Sequence, residues 1–447
     1  MATSPVHALA DALAADIHAG RLAPGAMLPT HRELAARHGV ALASATKVYA
    51  RLKAQGLVVG ETGRGTFVRD RPPGQRDWDS ADEARLNAGM VDLSFNHPTL
   101  PGQAELLRAM LRKLASAGDL AALMQQQPPG GRSHERRSVA DFLLRARGID
   151  VAPGRVFLVN GAQQGLDIAA RAVLRPGDAV AVDALTYPGF KMLARAQGLP
   201  LQPVPCSPAG PDLDALEALC RRGRVRAIYA MPTLHNPLGW VLNDAQRRRL
   251  VDIARRHECF LIEDAAYAFL AAAAPPALAA LAPERTFYVS SLSKSVATGL
   301  RFGWLAVPEA CATAVKAHIR ASHWSLPSVI TAMATRWIED GTVARLEAAH
   351  RRDARRRQAT AREVFDGMDI LANPAALFVW LTLPAELRMD RIAAALAARN
   401  IAVSKAEAYA ATRHAPHALR LGLSSVPLAQ LKPVLRQVRQ TIEAFPI

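Results

Sequence analysis

Cysteine is scarce in this sequence, and the few cysteines that occur are far apart. The 447 residues include 4 cysteines, none of them in a CxxC pair or a Cys/His cluster. This scarcity argues against a disulfide framework and against a zinc site, so we expect free thiols in a reducing compartment and no bound metal. The cysteines are Cys206, Cys220, Cys259 and Cys311.

Long apolar runs are also missing. No stretch of about 18 or more uncharged apolar residues occurs, which argues against a membrane-spanning helix. The N-terminus carries acids at Asp11 and Asp16, where a targeting segment would be basic. We therefore expect a soluble, cytoplasmic protein with no membrane partner.

The composition favours a folded chain of two or three domains. Hydrophobic residues make up 50% and charged residues 21% of the sequence. Such a chain is too apolar to be disordered and too long for one compact core. The formal net charge of +16 favours polyanionic partners, although an arginine-rich proteome would produce it as well.

Residues 1–70 are predicted to form a separate small domain. Thr30 is placed as the N-cap of a helix that runs to His38, and Gly39 is placed to end it. A second helix is expected from about Leu42 to Gln55, and two β-prone runs around a Gly-rich turn follow. This pattern predicts a winged helix-turn-helix that binds double-stranded DNA.

The motifs "LPTHRELA", "VYARLKAQGLV" and "GRGTFV" resemble those of a GntR-type winged helix. The resemblance implies DNA contacts from the two helices and from the wing. The implied contacts are Arg32, Ser44, Lys47, Arg64 and Gly65. Ala41 and Leu42 stand where the family commonly has a Ser-Arg pair, which leaves the DNA sequence preference open. A winged helix used for protein contact is the alternative.

The sequence pattern of the rest of the chain is typical of an α/β protein. Residues 71–88 have the Pro, Gly and mixed-charge composition of a linker. From residue 89 onward, β-prone and helical runs alternate, which predicts a mostly parallel sheet with ligands at the strand ends. We expect a large domain over 89–325 and a smaller C-terminal α+β domain over 326–447. The Ala- and Pro-rich stretch 271–283 is expected to be a surface connection.

Several predicted strands end in residues with chemical functions. The helix start after "VFLVN" offers an anion site, and other strands lead to an aromatic ring, an amide, a carboxylate and a lysine. Pyridoxal 5′-phosphate has the phosphate, aromatic ring, protonatable nitrogen, hydroxyl and electrophile that such a set would bind. The candidate residues are Ala162, Gln163, Tyr187, Asn236, Asp264, Tyr267, Ser291, Ser293, Lys294 and Arg301.

In this order the residues resemble the cofactor site of fold-type I aminotransferases, over about residues 90–440. The resemblance implies that Lys294 forms the Schiff base with the cofactor and that Asp264 pairs with its pyridinium nitrogen. Tyr267 and Asn236 would bind the ring hydroxyl, and Tyr187 would stack on the ring. The remaining candidates would hold the phosphate. By the same resemblance, Arg420 in "HALRLGLSS" would bind the α-carboxylate of a substrate or effector.

Two features of the sequence concern contacts with a partner subunit or with DNA. Gln126, in "QQPPGG", stands where the family has a tyrosine that reaches the cofactor phosphate of the partner subunit. The run "RRDARRRQ" at 351–358 carries five arginines. Its ordinary interpretation is a solvated helix face, and a secondary DNA contact is the alternative.

A winged helix tethered to an aminotransferase-like domain resembles the MocR subgroup of GntR regulators. The resemblance implies a head-to-tail homodimer that regulates transcription. It would sense a small amine or amino acid, or pyridoxal phosphate itself, through Lys294, with residual transaminase activity left open. Two alternatives remain: a working aminotransferase with an accessory DNA-binding domain, and an inactive relative that responds only to the cofactor.

Overall fold

The computed structural model describes residues 5–18, 21–22, 25–54, 57–61, 65–68, 90–384, 387 and 389–445. The chain divides into two units, one of Met1–Asp92 with Ala393–Ala402 and one of Leu93–Ile392 with Val403–Ile447. The predicted linker 71–88 and the predicted DNA contact Arg64 lie outside the described residues. The domain limits given above stay predictions.

The helices are distributed along the whole described chain. The α-helices are α1 (Pro5–His18), α2 (His31–His38), α3 (Leu42–Ala54), α4 (Gln103–Ala117), α5 (Leu120–Leu123), α6 (Ser133–Arg147), α7 (Gly161–Val173), α8 (Pro188–Ala196), α9 (Leu213–Arg221), α10 (Asp244–Arg256), α11 (Leu278–Leu281), α12 (Ala312–Ser322), α13 (Ser328–Glu339), α14 (Thr342–Val364), α15 (Met389–Ala398) and α16 (Leu428–Glu443). Short 3-10 helices cover Pro153–Arg155, Ala268–Leu270, Thr298–Leu300, Glu309–Cys311 and Ala406–Ala408. Within the described ranges, no helix combines the length and the apolar composition needed to cross a membrane.

The strands fall into several sheets. They are β1 (Met27–Leu28), β2 (Val58–Glu61), β3 (Gly65–Val68), β4 (Val91–Asp92), β5 (Val156–Val159), β6 (Ala179–Asp183), β7 (Leu201–Val204), β8 (Cys206–Ser207), β9 (Gly210–Pro211), β10 (Val225–Ala230), β11 (Phe260–Asp264), β12 (Thr286–Ser291), β13 (Gly303–Ala306), β14 (Ile370–Leu371), β15 (Phe378–Thr382), β16 (Ile401–Ala402), β17 (Ser404–Lys405) and β18 (Ala418–Gly422). Two small pairs stand apart, β4 with β16 in parallel and β8 with β9 in antiparallel orientation.

Local sequence signals set the limits of α2 in the first unit. Thr30 Oγ1 accepts a hydrogen bond from Glu33 N (3.3 Å), and the Glu33 carboxylate accepts one from Thr30 N (2.8 Å), which is a capping box. Gly39 ends the helix with φ 60°, a left-handed conformation that favours glycine. Because α3 begins at Leu42 just after this turn, the predicted helix-turn-helix is confirmed.

The wing and the helices of the first unit share a small apolar core. Strands β1, β3 and β2 form an antiparallel sheet in that order, and β2 with β3 is the predicted wing. Leu34 of α2 and Val48 and Leu52 of α3 are at most 1% exposed. Each such side chain contributes about 1.5–3 kcal/mol when fully buried, so this core holds the two helices together.

A seven-stranded sheet forms the centre of the second unit. Its strand order is β5-β13-β12-β11-β10-β6-β7. Strand β13 is antiparallel to both neighbours, and the other pairs are parallel. The predicted mostly parallel sheet is therefore confirmed, and the carboxyl ends of all strands except β13 meet at one edge.

Both faces of this sheet are covered, as the apolar strand sequences require. In β5, Phe157 and Val159 join an apolar cluster that includes α7, whereas Val156 and Leu158 join a cluster that includes α6. Successive side chains of a strand point to opposite faces. A strand buried on both faces is therefore mostly apolar, and polar residues become frequent where it ends.

A four-stranded antiparallel sheet lies in the C-terminal part of the second unit, in the order β14-β15-β18-β17. Trp380 of β15 is opposite Arg420 of β18. Helices α14 and α16 are joined by Arg439, whose Nη1 donates to Val364 O (2.8 Å). This arrangement has the α+β character expected of the C-terminal part and places Arg420 in a central strand.

The expected solvent exposure of the segments 351–358 and 271–283 is wrong in part. Within the arginine run, Arg357 is 4% exposed, and its Nη1 donates to Leu423 O and Val426 O (both 2.6 Å). A guanidinium can be buried when it satisfies backbone carbonyls in this way. The exposed arginines of the run are Arg352, Arg355 and Arg356. Within 271–283, α11 packs into the core, since Leu278 is 0% and Ala279 is 5% exposed.

Candidate functional site

Lys294 lies just after β12, at the sheet edge where the strand carboxyl ends meet. Its Nζ donates a hydrogen bond to Asn96 O (2.6 Å), and the side chain is half-buried. The amine is therefore held at a defined position, and the partial exposure leaves a small molecule access to it.

Asp264 ends β11, the strand next to β12, and is 2% exposed. Its Oδ2 accepts from Tyr229 OH (2.8 Å), and its Oδ1 accepts from Ala266 N (3.0 Å). Burial raises the pKa of Asp264, although these two hydrogen bonds and the nearby His235 act in the opposite direction. A buried carboxylate of this kind is stabilised most by a cationic partner.

Sequence reasoning missed Tyr229, which lies in β10. Its ring stacks on Phe190 with the ring centroids 3.9 Å apart. Burial, followed by the charge of Asp264, raises the pKa of its hydroxyl well above the ordinary value. The hydroxyl of Tyr229 therefore stays protonated and donates a hydrogen bond to Asp264. The one signal in the sequence is a tyrosine in a mostly aliphatic strand.

Electrostatic coupling shows that the structure brings five predicted residues together. Burial acts to raise the pKa of Tyr267, whereas the charges of Lys294 and Arg420 act to lower it. For Tyr187, burial and then the charges of Asp264 and Tyr267 raise the pKa. Because charge effects weaken with distance, these side chains lie near one another.

The N-terminus of α7 and the Arg301 side chain form an anion cradle. Arg301 Nη2 donates to Asn160 O (3.0 Å), directly before Gly161, the first residue of α7. A Cβ on Gly161 would lie 2.8 Å from Arg301 Nη2, and φ at Gly161 is +75°, so this position needs glycine. Ala162 follows in the same first turn and packs against the core. Free helical N–H groups beside a guanidinium favour a dianion.

Three buried polar atoms at these strand ends have no hydrogen-bond partner among the described residues: Gln163 Oε1, Asn236 Oδ1 and Ser293 Oγ. Other polar atoms of these residues are paired. Gln163 Nε2 donates to Gly189 O (2.8 Å), and Ser293 N donates to Ser291 Oγ (3.3 Å). Because buried polar atoms without a partner are rare, a polar ligand is the natural partner for them.

Arg420 is 2% exposed and is held by internal groups. Its Nη1 donates to Ser94 O (3.0 Å), and its guanidinium lies 4.7 Å from the centre of the Phe378 ring. In the amide orientation that satisfies both ends of Asn96, the Asn96 amide oxygen accepts from Arg420 Nη2 (2.6 Å) and from Tyr267 OH (3.2 Å). Sequence reasoning missed Asn96, and no local pattern signals it.

The arrangement fits pyridoxal 5′-phosphate. A lysine amine, a buried carboxylate, an anion cradle and three unpartnered polar atoms lie at the carboxyl edge of one sheet. Each corresponds to one chemical feature of the cofactor. The roles of individual residues toward it stay predictions.

The predicted DNA and partner contacts lie at the surface for the most part. Arg32, Lys47, Gly65 and Gln126 are exposed, and Ser44 is half-buried. Ala41 and Leu42, which replace the Ser-Arg pair of the family, are exposed as well. No described contact tests what these residues bind, so their roles stay predictions.

Two family models match the chain. "Aminotransferase class I and II" matches residues 88–438, and "Bacterial regulatory proteins, gntR family" matches residues 5–68. The HTH-type transcriptional regulator YdeF of Bacillus subtilis is 28% identical over 394 residues, which are 86% of this chain and 83% of the relative. The "Probable rhizopine catabolism regulatory protein MocR" of Rhizobium meliloti is 27% identical over 387 residues, 81% of this chain and 76% of the relative.

Solved aminotransferases share the fold. The alpha-aminoadipate aminotransferase LysN of Thermus thermophilus, complexed with N-(5′-phosphopyridoxyl)-L-leucine, superposes with a TM-score of 0.72 at 23% identity over 82% of this chain and 98% of that one. This chain belongs to the aminotransferase class I and II family, whose cofactor is pyridoxal 5′-phosphate, and its GntR winged helix makes it a MocR-like transcriptional regulator.

Proposed function

We propose that this regulator binds a small amine or amino acid at Lys294 and that this binding changes its affinity for DNA. The grouping of Lys294, Tyr267 and Arg420 around Asn96 supports the proposal. Lys294 Nζ donates to the Asn96 main-chain oxygen, and Arg420 Nη2 and Tyr267 OH donate to its amide oxygen. An effector amine would occupy the Lys294 side of this cluster. A carboxylate, where the effector has one, would pair with the guanidinium of Arg420.

The cofactor would be held by residues at the strand ends. Pyridoxal 5′-phosphate supplies an electrophilic carbon and an electron-withdrawing ring. In our proposal Asp264 keeps the ring nitrogen protonated, since its buried carboxylate needs a cation. Tyr267 and Asn236 bind the ring hydroxyl, and Tyr187 stacks on the ring. The phosphate is held by Ala162, Gln163, Ser291, Ser293 and Arg301.

The signal would pass from the Lys294 side to the small antiparallel sheet. Lys294 Nζ is the group that the effector amine replaces, and Arg420 of β18 is the group that its carboxylate engages. Aminotransferase folds are usually dimeric, and we propose a head-to-tail homodimer in which movement of this sheet changes DNA affinity. Such an effect is a coupling free energy between two sites.

A titration of the cofactor-loaded protein tests the proposal. Individual amines and amino acids are added while the visible absorbance of the bound cofactor is followed and released keto acid is assayed. A sensor shows an immediate absorbance change that dialysis reverses, without keto acid. Absence of any change with every amine would contradict the proposal.

A catalytically active aminotransferase is the second candidate. It is favoured by Lys294 itself, whose free amine can act as the base at the Cα of a bound amino acid. In the same titration, an aminotransferase accumulates keto acid in proportion to the amino acid consumed, and an added keto acid restores the initial absorbance.

The variant Arg420→Ala distinguishes a regulator that senses amino acids from one that responds to the cofactor alone. An amino-acid sensor loses its response to amino acids in this variant, whereas a cofactor sensor keeps its response to pyridoxal phosphate. Arg112→Ala, which removes an exposed arginine of α4, serves as the matched control.

A further inference from the structure

A buried amide lies between the amine side and the carboxylate side of the proposed effector site. Asn96, in the segment between β4 and α4, is 2% exposed. Its main-chain oxygen accepts from Lys294 Nζ (2.6 Å), and its side chain contacts Arg420. One residue thus touches both groups that an α-amino acid would need.

The Asn96 amide has a full set of partners. Its oxygen accepts from Arg420 Nη2 (2.6 Å) and Tyr267 OH (3.2 Å), and its nitrogen donates to Leu377 O (2.8 Å) and Ser424 Oγ (3.0 Å). An asparagine amide has two donor hydrogens and two acceptor lone pairs. All four are used, so the side chain is fixed against Arg420.

Each terminal nitrogen of Arg420 consequently makes one hydrogen bond. Nη1 donates to Ser94 O (3.0 Å) and Nη2 donates to the Asn96 amide oxygen (2.6 Å). Only Nε is buried without a partner among the described residues. A carboxylate binds a guanidinium best through two parallel hydrogen bonds. Both pairs that can make them, Nε with Nη2 and Nη1 with Nη2, include Nη2, so a carboxylate has to share Nη2 with the Asn96 oxygen.

We propose that Asn96 determines the effector class: its amide oxygen competes with an α-carboxylate for Arg420, so the site favours amines without an α-carboxylate over α-amino acids. The inference rests on the proposed function and narrows it. The amine side is unaffected by this competition, because Lys294 contacts the main-chain oxygen of Asn96 and not its side chain.

The test compares matched ligands on the full-length, cofactor-loaded protein. The pairs are alanine with ethylamine, leucine with 3-methylbutylamine, and lysine with 1,5-diaminopentane. Dissociation constants come from isothermal titration calorimetry and, independently, from the visible absorbance of the bound cofactor. Each pair differs only in the α-carboxylate, so the ratio of the two constants reports on Arg420.

Two substitutions should move this ratio in opposite directions. Asn96→Ala removes the competing oxygen, and the amino acid of each pair should bind about tenfold tighter relative to its amine. Asn96→Asp keeps the size of the side chain but gives Arg420 a permanent carboxylate partner, and amino acids should bind at least about tenfold more weakly while the amines retain their affinity. Ser424→Ala removes one partner of the amide nitrogen and should leave the ratio unchanged.

Either of two results would overturn the inference. One is weaker amino-acid binding in Asn96→Ala, which would make the amide a ligand of the carboxylate. The other is an equal change for both members of each pair, which would make its role structural. If Asn96→Ala does not fold, Asn96→Asp decides alone. The comparison involves no DNA, so an insensitive DNA affinity beside the expected ratios would contradict the proposed function and leave this inference standing.

Discussion

Replacement of Gly161 by alanine tests the anion cradle without touching any polar group. The new Cβ would lie 2.8 Å from Arg301 Nη2 and 3.0 Å from its Cζ, and φ at this position is +75°. The guanidinium must therefore move away from the helix N-terminus. The backbone, which is left-handed here, becomes strained as well.

The two effects have separate magnitudes. A residue with a Cβ in the left-handed region costs about 1–2 kcal/mol of folding free energy. Loss of a hydrogen bond to a charged group costs about 1.5–3 kcal/mol, which corresponds to roughly 10- to 100-fold in affinity for pyridoxal phosphate. The first effect lowers stability, and only the second lowers cofactor affinity.

Gly148→Ala separates the two effects. At Gly148 φ is +65°, but a Cβ at this position would meet no described atom within 4 Å, so the substitution introduces the backbone strain alone. Cofactor affinity is measured by equilibrium dialysis against pyridoxal phosphate, and stability by thermal denaturation of the apo-protein. Gly161→Ala should lose affinity and stability, and Gly148→Ala only stability. Wild-type cofactor affinity in Gly161→Ala would refute the placement of the phosphate beside Arg301.

Two further predictions concern stability and DNA binding. Burial raises the pKa of Glu263 to about 7 from 4.5, so the folded state holds this proton more tightly than the unfolded state. Its contribution to the free energy of unfolding, up to about 3 kcal/mol, is present below pH 4.5 and is lost as the pH rises through 7. Glu263→Gln, which keeps an acceptor for Ala279 N, should remove this dependence in urea titrations at pH 5 and 8; an unchanged difference between the two pH values would contradict it. Lys47→Ala should weaken DNA binding for all sequences and lower the slope of log K against log salt by about 1, whereas Lys113→Ala, an exposed control, should not; equal slopes in all three proteins would contradict the contact.

Features that depend on neighbouring residues could be predicted from the sequence. The limits of α2 follow from Thr30 and Gly39, because cap chemistry acts within one turn. Asp264 and Lys294 could be assigned to one edge because each follows a recognisable buried strand, and parallel strands align their carboxyl ends. In each case the physical cause lies within a few residues of its effect.

Features that depend on distant partners could not be predicted. Asn96 contacts Tyr267 and Ser424, which are 171 and 328 positions away, and its own segment shows no motif. Arg357 lies in an arginine run that predicts a solvated helix face. It is buried nevertheless, because it donates to two carbonyls in the segment between β18 and α16. The hydrogen bond from Tyr229 to Asp264 exists because β10 lies next to β11 in the sheet. The sequence pattern does not determine this strand order.

The most direct test of the central claim measures DNA affinity with and without effector. DNA is first selected from a random pool by the full-length protein, and dissociation constants are then measured by fluorescence anisotropy across a panel of amines and amino acids. We predict that at least one ligand changes the DNA dissociation constant of the wild type by about fivefold or more and that Lys294→Ala binds the same DNA without any response. The same response in Lys294→Ala, or none in the wild type with any ligand, would contradict the claim that Lys294 is the sensing group.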